Sequence, residues 1–180
     1  MERNLTLIAL FAALIAGLAL MPKLELIAGV PITLQSLGIM LAGTVLGARA
    51  GFLAVILYLV LGAIGLPIFA GGAGGLGPFF GPTGGFLIGF AFAALATGLV
   101  MAKVRGPVGL TAFLAAAIGG IVVLYAIGVP FLAYVIDKPV LDTALLMAPF
   151  LPGDLIKAVV AALITRALYQ MRPGVVLSRA

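Results

Sequence analysis

Apolar residues run along this chain in long blocks, and the breaks between blocks are made of Gly, Pro and a few charges. A helix that crosses the hydrocarbon core of a bilayer takes about 20 apolar residues, with a range of about 17 to 25, and the blocks predict six such spans. The first runs from Leu5 to Met21 and is stopped by Pro22; the second runs from Leu34 to Ala48; the third runs from Gly51 to Leu66 and is stopped by Pro67. The fourth runs from Thr83 to Ala102, the fifth from Val108 to Tyr134 with Pro130 as a candidate kink, and the sixth from Pro152 to Met171. The second and third are short. The expected fold is all-α, a polytopic membrane protein with six transmembrane helices in one domain over residues 1–180. The start, MERNLTLIALFAALIAGLAL, has the outline of a signal peptide, but no A-x-A-type site closes it and further spans follow, so it reads as the first span.

Composition narrows the chemistry. Hydrophobic residues make up 64% of the chain and charged ones 8%, against roughly a quarter charged in soluble proteins. There is no Cys and no His, which excludes disulfides, thiol catalysis and cysteine metal sites and removes the commonest general base and metal ligand. No G-x-x-x-x-G-K-[ST], G-x-S-x-G or H-E-x-x-H occurs. The expectation is a non-enzyme with no catalytic residue, no metal and no cofactor of its own. The net charge of +5 comes from ten Lys and Arg against five Asp and Glu, but these form no basic cluster, so no nucleic-acid partner is expected. The charges mark span ends instead. Arg3, Arg49, Lys103, Arg105, Arg166, Arg172 and Arg179 fall on one side, and only Lys23 and Lys138 on the other. Cytoplasmic loops carry the excess of Lys and Arg, so both termini are expected in the cytoplasm of a multi-pass cell-membrane protein.

That topology gathers the polar residues at the outer ends of the spans. KLELIAGVPITLQSLG brings Thr33 and Gln35 to the start of span two. GLPIFAGGAGGLGPFFGPTGG, between spans three and four, is too rich in Gly and Pro for a regular helix. FLPGDLIKA places Asp154 and Lys157 three apart at the start of span six. Irregular backbone at membrane depth is tolerated only where protein buries it or where it lines a cavity, and a small-ligand pocket open to the outside is the economical reading. Structural roles compete with it. Asp154 suits an N-cap, Thr33 suits the cap of span two, and Asp154 with Lys157 at i,i+3 can be a structural pair. Lys157 resists the capping explanation, because a cation in the first turn opposes the helix dipole and needs a partner in the membrane.

In span one, Ala9 and Ala13, and also Ala12 and Ala16, form small-x-x-x-small pairs that let another helix approach. Packing within the bundle explains them equally well.

The succession VPITLQSLG (30–38), LGARAGFLAVILYLVLGAIGLPIFAGGAGG (46–75), GPTGGFLIGF (81–90) and FLPGDLIKA (150–158) resembles the BioY family, the biotin-specific membrane components of energy-coupling factor (ECF) transporters. The resemblance implies a six-helix subunit that captures biotin from outside. It also implies a transmembrane coupling protein and two ATPases as partners that supply the energy from ATP, and a docking face on the first helix carried by Ala9 and Ala13 or their neighbours. On that reading Asp154 accepts a ureido proton and Lys157 donates to the ureido carbonyl; the alternative pose gives Lys157 to the valerate carboxylate. Thr33, Gln35 and backbone amides of the glycine loop, Gly74 among them, hold the carboxylate, and Tyr58 and Phe69 form the slot for the fused ring. A secondary transporter that moves biotin without ATPases is the competing function.

Overall fold

The computed structural model describes residues 2–22, 24–27 and 30–179. Lys23, placed above in an external segment, and the side chain of Arg3 lie outside the described residues. Helix α1 covers Glu2–Ala19, and a two-stranded antiparallel hairpin follows, β1 Leu24–Ile27 and β2 Val30–Ile32. Next come α2 Gln35–Leu41, a π-helical turn Ala42–Leu46, and α3 Ala48–Ala63. The short α4 Gly77–Phe80 precedes α5 Gly84–Lys103. Helices α6 Val108–Ala117 and α7 Leu124–Val135 are joined without a break by a second π-helical stretch, Ile118–Val123, and the helix continues through Pro130. Helix α8 Val140–Met147 leads through a 3₁₀ turn into α9 Leu151–Met171, and a tail of 3₁₀ turns ends at Arg179.

The fold is helical, with one departure from the all-α expectation: among the described residues, 24–27 and 30–32 pair as two short strands. The pairs are Leu24 with Ile32, Glu25 with Pro31 and Ile27 with Val30, with an irregularity between Glu25 and Ile27. A segment too short to cross a bilayer satisfies its backbone groups by pairing with itself. Among the described residues, three helices are long and apolar enough to cross a membrane, Gly84–Lys103, Val108–Val135 and Val140–Met171; Asn4–Ala19, Gln35–Leu46 and Ala48–Ala63 are apolar but shorter. Helix α3 starts at Ala48, before the predicted Gly51, because Gly47 alone turns the chain between it and the π-helical turn after α2. Gly47 does so at φ 84, a left-handed conformation that costs glycine little.

Small residues then bring backbones together. A Cβ at Gly98 of α5 would collide with the backbone of Ala48 and Gly47, and one at Gly51 would lie 2.7 Å from the Ala42 carbonyl. Close approach through small residues is the general device by which membrane helices gain packing energy, since lipid supplies no hydrophobic drive between them. Polar bonds also join the π-helical turn after α2 to α9 and to the tail. Thr165 Oγ1 donates to Thr44 Oγ1 at 2.8 Å, and the Ser178 hydroxyl donates to the Thr44 carbonyl. Thr44 and Thr165 are fully buried. In a π-helical turn the main-chain ladder is displaced, and the tail supplies a donor to that turn.

Gly98→Ala is expected to destabilise the fold by about 1 to 3 kcal/mol through overpacking. Gly17→Ala, where nothing lies within 4 Å of the new methyl, is expected to be neutral or stabilising by up to about 1 kcal/mol. Thermal unfolding of the two variants in detergent, side by side, checks this.

Candidate ligand-binding site

The starts of α2, α5 and α9 meet around a cavity of about 320 Å³, within the range of about 300 to 1,000 Å³ usual for small-molecule sites. Three basic residues lie toward the other ends of the same helices: Arg49 follows the π turn after α2, Lys103 ends α5 and Arg172 follows α9. The polar end of the cavity is built on α9. Asp154 and Lys157 are only 7% and 8% exposed, and Lys157 Nζ donates to Asp154 Oδ1 at 2.9 Å. Ser36 of α2 joins them: Lys157 Nζ donates to Ser36 Oγ at 3.0 Å, and Ser36 Oγ donates to Asp154 Oδ1 at 3.4 Å. From α7, Tyr125 OH donates to Asp154 Oδ2 at 2.7 Å. Breaking a buried pair by removing one partner costs about 3 to 5 kcal/mol, because an uncompensated charge is left. The additional bonds from Ser36 and Tyr125 are what make burial of this pair tolerable.

Asp154 is not a cap. The cap position of α9 is Phe150, no side chain bonds the first amides there, and both carboxylate oxygens are turned to Ser36, Lys157 and Tyr125. The geometry thus separates a role in the cavity from the capping role that the sequence left open.

The apolar part of the wall is largely aromatic. Phe69 comes from the glycine-rich segment, Phe86 and Phe90 from α5, and Phe150 from the turn before α9, with Leu87, Leu124 and Met147 between them. Phe69 is held on edge by Tyr58 and Phe79, at ring separations of 5.5 and 5.6 Å, within the range of favourable edge-to-face pairs. It lies over Gly62, where a Cβ would enter its ring. Phe86 likewise packs edge-on against Tyr125, at 6.1 Å and 87°.

Asp154, Lys157, Gln35, Thr33 and Phe69 all line this cavity. Two predicted residues do not. Tyr58 is fully buried behind the wall, where its hydroxyl accepts from Gln35 Nε2 and donates to the Ile68 carbonyl at 3.2 Å. Its hydroxyl serves the backbone of the loop that carries Phe69. Gly74 also lies off the cavity; its α-carbon packs so close to the Leu66 carbonyl that a side chain would collide. Thr33 Oγ1 donates to Gln35 Oε1 at 2.9 Å and accepts from the Gln35 amide at 3.3 Å. The cap position of α2 is Leu34, which has no side-chain cap bond, so Thr33 is not the cap; its hydroxyl bonds Gln35 at the cavity wall instead. Sequence reasoning missed Ser36, Tyr125, Phe86, Phe90 and Phe150. Ser36 had a usable signal, since it adjoins Gln35 at a helix start, whereas the aromatics sit in apolar runs that give no hint of facing.

On α1 the two alanine pairs part company. Ala12 is buried and Ala16 packs against the core, while Ala9 and Ala13 are exposed on the outer face.

The sequence matches the BioY family over residues 2–174. The chain belongs to the BioY family. It is 52% identical to the biotin transporter BioY of Rhodobacter capsulatus over 189 aligned positions, covering 99% of this chain and all of that protein. It is 40% identical to a probable biotin transporter BioY of Bacillus subtilis, over 91% of this chain and 88% of the other. The fold is similar to the crystal structure of the S-component for biotin from an ECF-type ABC transporter, with a TM-score of 0.89 at 32% identity, over 94% of this chain and 92% of that one. The motifs that carried the resemblance surround the cavity in this BioY chain: VPITLQSLG supplies Thr33, Gln35 and Ser36, GPTGGFLIGF supplies Thr83, Phe86 and Phe90, and FLPGDLIKA supplies Phe150 and the charge pair.

Tyr58→Phe keeps the ring against Phe69 and removes only the hydroxyl. It leaves the Gln35 amide and the Ile68 carbonyl short of a partner, and a loss of about 1 to 3 kcal/mol is expected. Thermal unfolding of the variant measures it.

Proposed function

We propose that this chain captures biotin and serves its uptake as the substrate-binding component of an ECF-type ABC transporter. The observation that carries the reading is an electrically neutral hydrogen-bonding cluster in a cavity whose remaining wall is mostly apolar, with four phenylalanines in it. Biotin is the complementary object: an apolar fused ring, a neutral ureido head with adjacent donors and acceptor, and a carboxylate on a flexible chain. The family and the names of its relatives support the same ligand.

Neutrality favours one orientation. A ligand carboxylate brought to Lys157 also meets the charge of Asp154, and two like charges 4 Å apart repel by about 4 kcal/mol at an effective dielectric of about 20. That repulsion offsets most of the attraction to Lys157. A ureido group meets no such opposition, since its N–H donates a hydrogen bond to the carboxylate and its carbonyl accepts one from the ammonium. The ureido head therefore lies at Asp154 and Lys157, and the valerate chain runs toward Thr33, Gln35 and the glycine-rich segment. Phe69 bounds the ring slot, with Tyr58 and Gly74 supporting it from behind.

The fuller reading places six spans in the plasma membrane, with both termini cytoplasmic and the cavity facing outward. The positive charges at the ends of α3, α5 and α9 remote from the cavity support it. Energy comes from a transmembrane coupling subunit and two ATPases, and ATP acts only through them. The exposed Ala9 and Ala13 are the docking face on α1 that allows another helix to approach.

Asp154→Asn and Lys157→Met should each weaken biotin binding tenfold to more than a hundredfold, the worth of about 1.5 to 3 kcal/mol for a hydrogen bond to a charge. The double variant should fall short of the summed losses, because the two groups act together. Equilibrium binding to purified protein, with unfolding temperature followed in parallel, tests this; unchanged affinity in both single variants would sink the site. Vesicles holding the chain alone should bind biotin without accumulating it, whereas vesicles that also hold the coupling and ATPase subunits should accumulate it with ATP. Accumulation by the chain alone would favour a secondary transporter.

A further inference from the structure

Counting the hydrogen-bonding capacity left over in the polar cluster singles out one oxygen. A carboxylate oxygen accepts about two bonds. Asp154 Oδ1 already accepts from Lys157 Nζ and from Ser36 Oγ, so its capacity is used. Among the described residues, Asp154 Oδ2 accepts from Tyr125 OH alone, which leaves one position open. The ammonium of Lys157 has three protons, of which Ser36 and Asp154 take two. The cluster thus offers one charged acceptor and one charged donor to the cavity, and the acceptor is Oδ2.

What keeps the two oxygens in unlike roles is Tyr125. Ser36 and Lys157 approach the carboxylate at Oδ1, while Tyr125 reaches Oδ2 from α7. The ring of Tyr125 is fixed by the edge-on contact with Phe86, and Tyr125 lies on the cavity wall beside Asp154. Without the phenol, nothing described in the structure bonds Oδ2. The carboxylate is then free to turn about its Cβ–Cγ bond, bringing both oxygens to the ammonium and withdrawing the open acceptor.

We propose that Tyr125 is a positioning residue for substrate recognition: by holding Oδ2 it presents the open lone pair of Asp154 to one N–H of the ureido head. The inference rests on the biotin reading of the cavity. It assigns recognition of that N–H to a three-part unit of Phe86, Tyr125 and Asp154, in which only Asp154 touches the ligand's proton.

The test is a cycle between protein and ligand. Tyr125→Phe, which retains the ring against Phe86, is measured against biotin and against two lactam analogues, each with one ureido N–H replaced by CH2. The expected result is a loss of about tenfold for biotin, a similar loss for one lactam and almost none for the other, whose missing N–H is the one that Oδ2 reads. An equal loss for all three ligands means a merely structural role and overturns the proposal, as does no loss for any. If Tyr125→Phe fails to fold, 3-fluorotyrosine at position 125 keeps the hydroxyl and strengthens its donation. It should then change affinity for biotin and one lactam while leaving the other lactam unchanged, and a uniform effect or none overturns the proposal. Failure of the wild-type chain to bind biotin would instead remove the functional reading beneath it, so the two failures are distinct.

Discussion

A carboxylate and an ammonium buried together in an apolar bundle constrain everything around them. Asp154 and Lys157 are accessible to only a few per cent, and an isolated charge in such surroundings carries a desolvation cost of several kcal/mol. The pair is tolerable because each charge neutralises the other and because further donors reach it. Those donors come from other helices, Ser36 from α2 and Tyr125 from α7. The charge pair on α9 therefore prescribes which helices must meet at one end of the bundle. The cavity exists where they meet.

The same requirement divides the cavity into two kinds of wall. Near α9 the protein's polar atoms are mostly bonded to one another, leaving few open positions for a ligand. Elsewhere the wall is mostly apolar and includes Phe69, Phe86, Phe90 and Phe150, rings that offer surface without hydrogen bonds. Several are placed by contacts behind them. Gly62 leaves room for Phe69, and the Tyr58 hydroxyl ties the loop that bears Phe69 to Gln35 at the start of α2. The network gives specificity at one end and shape along the rest.

At the far end of the same two helices a neutral arrangement repeats the pattern. Ser36 on α2 meets Asp154 and Lys157 on α9 at the cavity, and Thr44, on the π-helical turn that continues α2, meets Thr165 on α9 near the tail, with Ser178 completing the bond to the Thr44 carbonyl. Two polar contacts along one helix pair oppose sliding of one helix past the other. Apolar contacts alone are non-directional and hold register less firmly. The register of α2 and the π-helical turn after it against α9 is thus fixed at both ends, and the cavity lies at one of them.

Much was legible in the residues themselves. The apolar blocks fell within a few residues of the long helices α5, α6 with α7, and α9, because apolar length and Pro or Gly breaks act locally. The charge pair, Thr33 and Gln35 stood out because polar groups in an apolar run are costly wherever the chain carries them. Facing was another matter. Tyr125, Phe86 and Phe150 occupy stretches where lipid-facing and cavity-facing positions are equally apolar, so no periodicity distinguishes them. Tyr58 looked equally fit for the slot, and only the path of α3 turned it behind the wall. Likewise Asp154 satisfied the rules for a cap, and only the arrival of Ser36 and Tyr125 from distant parts of the chain decided against it. The sequence by itself determined the helices, the medium they suit and the chemical inventory of the site, since these depend on local composition. The tertiary structure alone decided which groups share a cavity and which oxygen remains open, since those follow from long-range packing that no local pattern encodes.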